Sequence, residues 1–211
     1  MASASRHHHW LPQFYLAGFT DTGTREGKFY VHDAEAGKVF RTGPRNVAGQ
    51  RDYNKIDVKG QEPDAVEKAF AKLEDTFAGV VRRLDESRAL PGGDDHELLM
   101  NFVTLLAVRN PKMRDTARGW EEQVAKAVMR MMVSSKEVWE GQVEKMRRDG
   151  MKLPPGPTYE GMRDFVLGER YRFEYRNEGN IRNELHAIDS VLPTMAAREW
   201  SLVESPGPSL H

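Results

Sequence analysis

Residues 94–108 read DDHELLMNFVTLLAV, and from Leu98 onward the run is apolar nearly all round. A surface helix keeps one polar side for water, so a helix that is apolar on every side has to be enclosed by other elements. The stretch therefore predicts a helix at the centre of a core. Asp94 and Glu97 stand at capping-box spacing at its start, and Pro111 makes Asn110 its break. On its N-terminal side, DAVEKAFAKLEDTFAGVVRRL (64–84) places Val66, Phe70, Leu73, Phe77, Val80, Val81 and Leu84 at intervals of three and four, with Asp64 and Glu67 at capping-box spacing again. One face of that helix must be buried, and PGG at 91–93 separates it from the central one.

On the C-terminal side, Met113, Ala117, Trp120, Val124, Val128, Met131, Val138, Trp139 and Met146 carry a helical stripe from Pro111 to Gly150. Read as one helix over 111–149, it is far longer than the usual globular helix, and its apolar length predicts a homodimer through it. KLPPGP (152–157) is a loop, and Thr158 can cap a short helix to about Gly168. RYRFEYR (170–176) fits a strand or a helix edge equally. Ile181, Leu185, Ile188 and Leu192 mark another helix, and REWSLVE (198–204) reads as a C-terminal strand. Before residue 57 the texture differs: KFYVHD and KVFRTG are separated by AEAG, a hairpin signal with strands near 28–32 and 38–42. The expected architecture is α+β and predominantly α-helical, a single domain over 1–211. A hairpin-containing region (1–57) packs on a helical bundle (63–196), and the strand at 198–204 joins the hairpin.

Composition narrows the function classes. Lys and Arg number 31 against 32 Asp and Glu, for a net charge of −1, so no global field points to nucleic acid. No apolar run reaches membrane-spanning length and the first thirty residues lack the basic, apolar, small-residue order of a secretory signal, which suits a cytoplasmic protein. The absence of cysteine removes disulfides, thiolate metal ligands and a thiol nucleophile together. Phosphate-binding glycine loops, Gly-x-Ser-x-Gly, His-Glu-x-x-His and dinucleotide fingerprints are likewise missing.

The chemistry-bearing stretch is RHHHWLPQFYLAGFTD (6–21). In a strand, His7 and His9 share one face and His8 takes the other. Two imidazoles are too few for a closed metal site, so zinc would need Glu67, Glu74 or His186 as well. The alternatives are histidines hydrogen-bonded to backbone and carboxylates where the chain enters the core, and general acid–base work by one of them. Trp10, Phe14, Leu16 and Phe19 are too much apolar surface for a dangling tail, while Pro12 forbids an unbroken central strand.

HHWLPQFYLAGF resembles the motif His-His-x-x-Pro-x-x-Tyr-Leu-x-x-Phe that opens members of a widespread, mostly bacterial family catalogued as domain of unknown function 4238, through His8, His9, Pro12, Tyr15, Leu16 and Phe19. The resemblance continues through the hairpin, PRNVAGQRDYN (44–54), a helix with spaced Glu67 and Glu74, an arginine before a proline (Arg109, Pro111) and a Trp-x-Leu strand (200–202). It implies no settled activity. The family's usual second strand and Ser-Asp-x-Pro-like segment have no counterpart in SPGPSLH, so the chain reads as cut short or as having dispensed with them.

Glu67 and Glu74 lie seven apart on one helix face beside Phe70, and Arg109 is their natural partner if that face is buried. Asn101 interrupts the central helix and needs a hydrogen-bond partner if buried. The candidate catalytic residues are His8, His9, Glu67 and Arg109, with no cofactor assigned and a metal left open. One function these residues suggest is a hydrolase acting on phosphate-containing or nucleic-acid substrates. The other is a non-catalytic helical interaction or dimerisation module. A cleft lined by the four residues favours the first, and histidines satisfied by backbone without a cleft favour the second.

Overall fold

The computed structural model describes residues 6–152, 156 and 158–204. In chain order the elements are β1 (His7–His9), α1 (Gln13–Ala17), β2 (Phe29–Asp33), β3 (Lys38–Thr42), a 3-10 turn (Pro44–Asn46), β4 (Gly49–Arg51), α2 (Ala65–Ser87), α3 (Gly93–Val108), α4 (Pro111–Met132), α5 (Lys136–Arg148), α6 (Tyr159–Leu167) and α7 (Asn177–Ala196). The fold is α+β and mainly helical, with two antiparallel sheets of two strands each among the described residues: β1 with β4, and β2 with β3. These residues fall into two compact units. One comprises the chain to Met113 together with the segment from Arg176; the other is Arg114–Tyr175. No composition shift announces the first boundary, which falls inside α4. Among the described residues no helix is long and apolar enough to cross a membrane.

In the first unit α3 packs on both α2 and α7. It buries Leu99, Met100, Phe102, Thr104, Leu105 and Val108, the central place its all-round apolar sequence demands. Phe70 and Phe77 of α2 meet Phe102 and Leu105 in one cluster, against which Phe14 and Tyr15 of α1 pack. Val80, Leu99 and Met100 form a second, covered by Leu192 and Trp200. Each such side chain contributes roughly 1.5–3 kcal/mol on burial. The β2–β3 hairpin has the expected place, pairing Phe29 with Thr42 and Asp33 with Lys38.

Several expectations are corrected. The 111–149 helix is two helices. Ser135 accepts the Val138 N–H at 3.3 Å and caps α5, a competing local bond that two adjacent serines offer and an apolar stripe conceals. Residues 199–204 form no strand: Trp200 turns inward instead and donates its indole N–H to the Met195 carbonyl at 2.8 Å. RYRFEYR has neither strand nor helix up to Arg176. Asp64 makes no cap bond and pairs with Lys68, while Asp95, one residue past the expected cap, holds Arg83 through two oxygens at 2.6 and 2.7 Å. Phe19 is 62% exposed. The greater part of KLPPGP, and SPGPSLH, lie outside the described residues.

In the second unit Val133 and Val166 are buried. The Tyr159 hydroxyl donates to the Val133 carbonyl at 3.2 Å, the Tyr175 hydroxyl to that of Arg118 at 3.2 Å, and Arg130 pairs with Glu169 at 2.8 Å.

Candidate functional site

The histidine stretch enters the fold as a strand. β1 pairs with β4 in the register His7–Arg51, His8–Gln50 and His9–Gly49, and strand alternation then sends His8 to one face and the other two to the opposite one. Pro12, which cannot donate to a ladder, ends the strand and precedes α1.

On the inner face His8 is 1% exposed, and its Nδ1 accepts the Asn54 backbone N–H at 2.8 Å. A nitrogen that accepts carries a lone pair, so this ring holds its proton on Nε2. The Asn54 side chain, itself wholly buried, donates to Glu67 Oε2 at 2.6 Å. Arg109 lies just beyond the last turn of α3, 1% exposed. Its Nη2 donates to the His9 carbonyl at 2.8 Å, and its guanidinium sits 3.8 Å from the centroid of the Phe70 ring, a cation–π contact. Glu67 and Glu74 stand 4.0 and 3.9 Å from its Nη2 and Nη1. Those distances are Coulombic pairing without a direct hydrogen bond, and Nε and Nη1 have none among the described residues. Burial pushes the guanidinium down, opposed by Glu67, Glu74, Glu184 and Tyr53, yet arginine stays charged in proteins. The same burial lifts the Glu74 carboxyl from 4.5 to about 6, with Arg109 and Arg25 pulling it back and Glu67 and Asp75 adding to the rise.

On the outer face the His7 and His9 rings meet edge-to-face, 4.8 Å between centroids. A pocket of about 500 Å³ opens there, lined by His7, His9, Gln13, Arg45 and Asn46. His9 Nε2 donates to the Arg45 carbonyl at 3.1 Å. A carbonyl only accepts, so Nε2 carries a proton; in the neutral ring Nδ1 then has the lone pair, to which the Gln13 amide donates over a long 3.5 Å. Burial pushes the His9 imidazole below its usual value. The Arg45 carbonyl and Glu67 act against that shift, His7 and Arg109 with it.

His8, His9, Glu67 and Arg109 are therefore brought together by backbone and Asn54 links, but of the four only His9 lines the pocket. Asn101 is elsewhere: its amide donates to the Glu97 carbonyl one turn back in its own helix, at 2.8 Å. His186 is exposed, and no group of three His, Cys, Asp or Glu suited to a metal occurs among the described residues. Sequence reasoning missed Asn54, Gln13 and Arg45; a buried backbone partner for His8 leaves no trace in side-chain patterning.

Gly49 is what lets the two outer rings approach. A Cβ there would stand 2.6 Å from His7 Nε2 and 3.1 Å from His9 Cδ2. Gly49→Ala is expected to displace both rings at a stability cost of about 1 kcal/mol. Histidine side-chain NMR checks this, and unchanged His7 and His9 resonances would mean the rings do not depend on the glycine.

No curated protein and no solved structure matches this chain. A family model does, over residues 7–210, from the paired β1 histidines through Arg109 to the segment after Trp200, and the chain belongs to the family described as "Protein of unknown function (DUF4238)".

Proposed function

We propose that the chain is a hydrolase of phosphate-containing substrates that works in the pocket beside β1, with His9 as general base. The observation that carries this reading is the state of His9. Its Nε2–H is fixed by a backbone carbonyl, its Nδ1 lone pair is held by one weak amide contact, and burial keeps the ring neutral near pH 7. In the reaction Nδ1 takes a proton from water, the water oxygen bonds to phosphorus, and the ester P–O bond breaks. The departing oxygen is protonated from solvent at the pocket mouth. His8, Glu67 and Arg109 act as positioning residues, since Arg109 holds the His9 carbonyl and the other two tie the opposite face of β1 to α2 through Asn54. A cytoplasmic, cysteine-free enzyme suits this assignment.

The test is turnover of chromogenic phosphate mono- and diesters by the full chain. The expected result is activity that His9→Gln removes without altering the melting temperature, and that rises with pH as the imidazole loses its proton. Activity unaffected by His9→Gln would overturn the assignment.

A second reading, a helical interaction or dimerisation module, is favoured by one row on α4. Trp120 and Met131 are 67% and 69% exposed, with Val124 and Val128 exposed between them. Light scattering above the 24.1 kDa of one chain, reduced by Trp120→Glu, supports it; a monomer mass removes it.

A further inference from the structure

We propose that the pocket beside β1 accepts an adenine mononucleotide, with the phosphate on Arg45, the base edge read by the side-chain amides of Gln13 and Asn46, and the base face against His7. The inference rests on the phosphate-ester reading above and names the rest of the ligand. Its first support is charge. The five lining residues include no carboxylate, although acids and bases are balanced over the chain. The Arg45 guanidinium has no carboxylate partner among the described residues, its backbone carbonyl alone being engaged, by His9. A guanidinium with an open fork matches a phosphate through two parallel N–H bonds.

The second support is the pair of amides. One N–H of Asn46 is committed to Thr42 Oγ1 at 3.0 Å, which holds the side chain in place and leaves its carbonyl oxygen and other N–H for a ligand. Gln13 reaches His9 only at 3.5 Å, a contact a better partner replaces. An amide presents one donor and one acceptor side by side, the complement of the N6 and N7 edge of adenine. The third support is His7, which lines the pocket with an exposed ring, a side chain of the kind on which unstacked bases stack. A volume of about 500 Å³ has room for a ligand of this size. Near-zero net charge fits a small ligand held by local groups better than a long polyanion.

The experiment is calorimetric titration of the full chain with inorganic phosphate, adenosine, adenosine monophosphate and uridine monophosphate, repeated on Arg45→Gln and Asn46→Ala. Adenosine monophosphate is expected to bind at least about tenfold more tightly than phosphate, adenosine or the uridine nucleotide. Arg45→Gln should weaken all three phosphate-bearing ligands and spare adenosine; Asn46→Ala should weaken the adenine ligands and spare phosphate. Adenosine monophosphate binding no better than phosphate, or indifferent to both substitutions, overturns the proposal, even if phosphate esters are hydrolysed. The predicted binding pattern without turnover upholds it and overturns the hydrolase reading instead.

Discussion

Arg109→Leu is expected to destabilise the protein by roughly 3–5 kcal/mol, the cost of removing one member of a buried charge cluster. The leucine would pack acceptably on Phe70, so lost volume is not the source. The loss lies in what the guanidinium leaves behind. The His9 carbonyl forfeits a charged donor at 2.8 Å, and Glu67 and Glu74 keep their positions 3.9–4.0 Å from where the cation stood. Arg109→Lys should recover part of the loss, because the charge returns without the fork that reaches both His9 and the carboxylates. Urea denaturation of the variants decides. A shift no larger than that of an exposed Arg88→Leu control would show that the cluster contributes no net stability.

The second large effect is a pH dependence owned by Glu74. Its carboxyl rises from 4.5 to about 6 in the fold, so the native state binds that proton more tightly than the unfolded chain does. The associated stability is fully present below about pH 4.5 and is lost as pH rises through about 6, a change of about 2 kcal/mol. His9 runs the other way: its lowered value means that the fold gains stability as pH climbs towards 6.5. Asp21, Asp52, Asp95, Glu137 and Glu178 are all lowered and act only at more acid pH. The difference between wild type and Glu74→Gln, measured from pH 4 to 7.5, therefore isolates the Glu74 step. A flat difference would mean that the carboxyl is solvated in solution.

The helices legible in the sequence are those whose signal is local. Phe70, Phe77 and Val80 recur at the period of α2 and are all buried, and Leu99 to Val108 leave α3 no polar face. The hairpin was legible for the same reason. Helix ends were less so, because a cap competes with every other partner in reach. Glu67 serves a buried amide rather than a capping box, and Ser135 interrupts a stripe that periodicity carries straight through. Trp200 looks like a strand residue until the carbonyl of Met195 and the space beside Leu192 are in place.

The candidate site divides along the same line. That His7 and His9 share a face and His8 opposes them follows from the alternation of any strand, and that Arg109 serves the glutamates of α2 follows from seven-residue spacing and an apolar neighbourhood. Which face opens to solvent depended on the pairing of β1 with β4 across some forty residues of chain, a choice no local pattern encodes. That pairing put Gly49 beneath the rings, Arg45 beside His9 and Asn54 against His8. Long-range strand register, set by which surfaces can be buried together, thus converted three adjacent histidines into one anchor and two walls of a pocket.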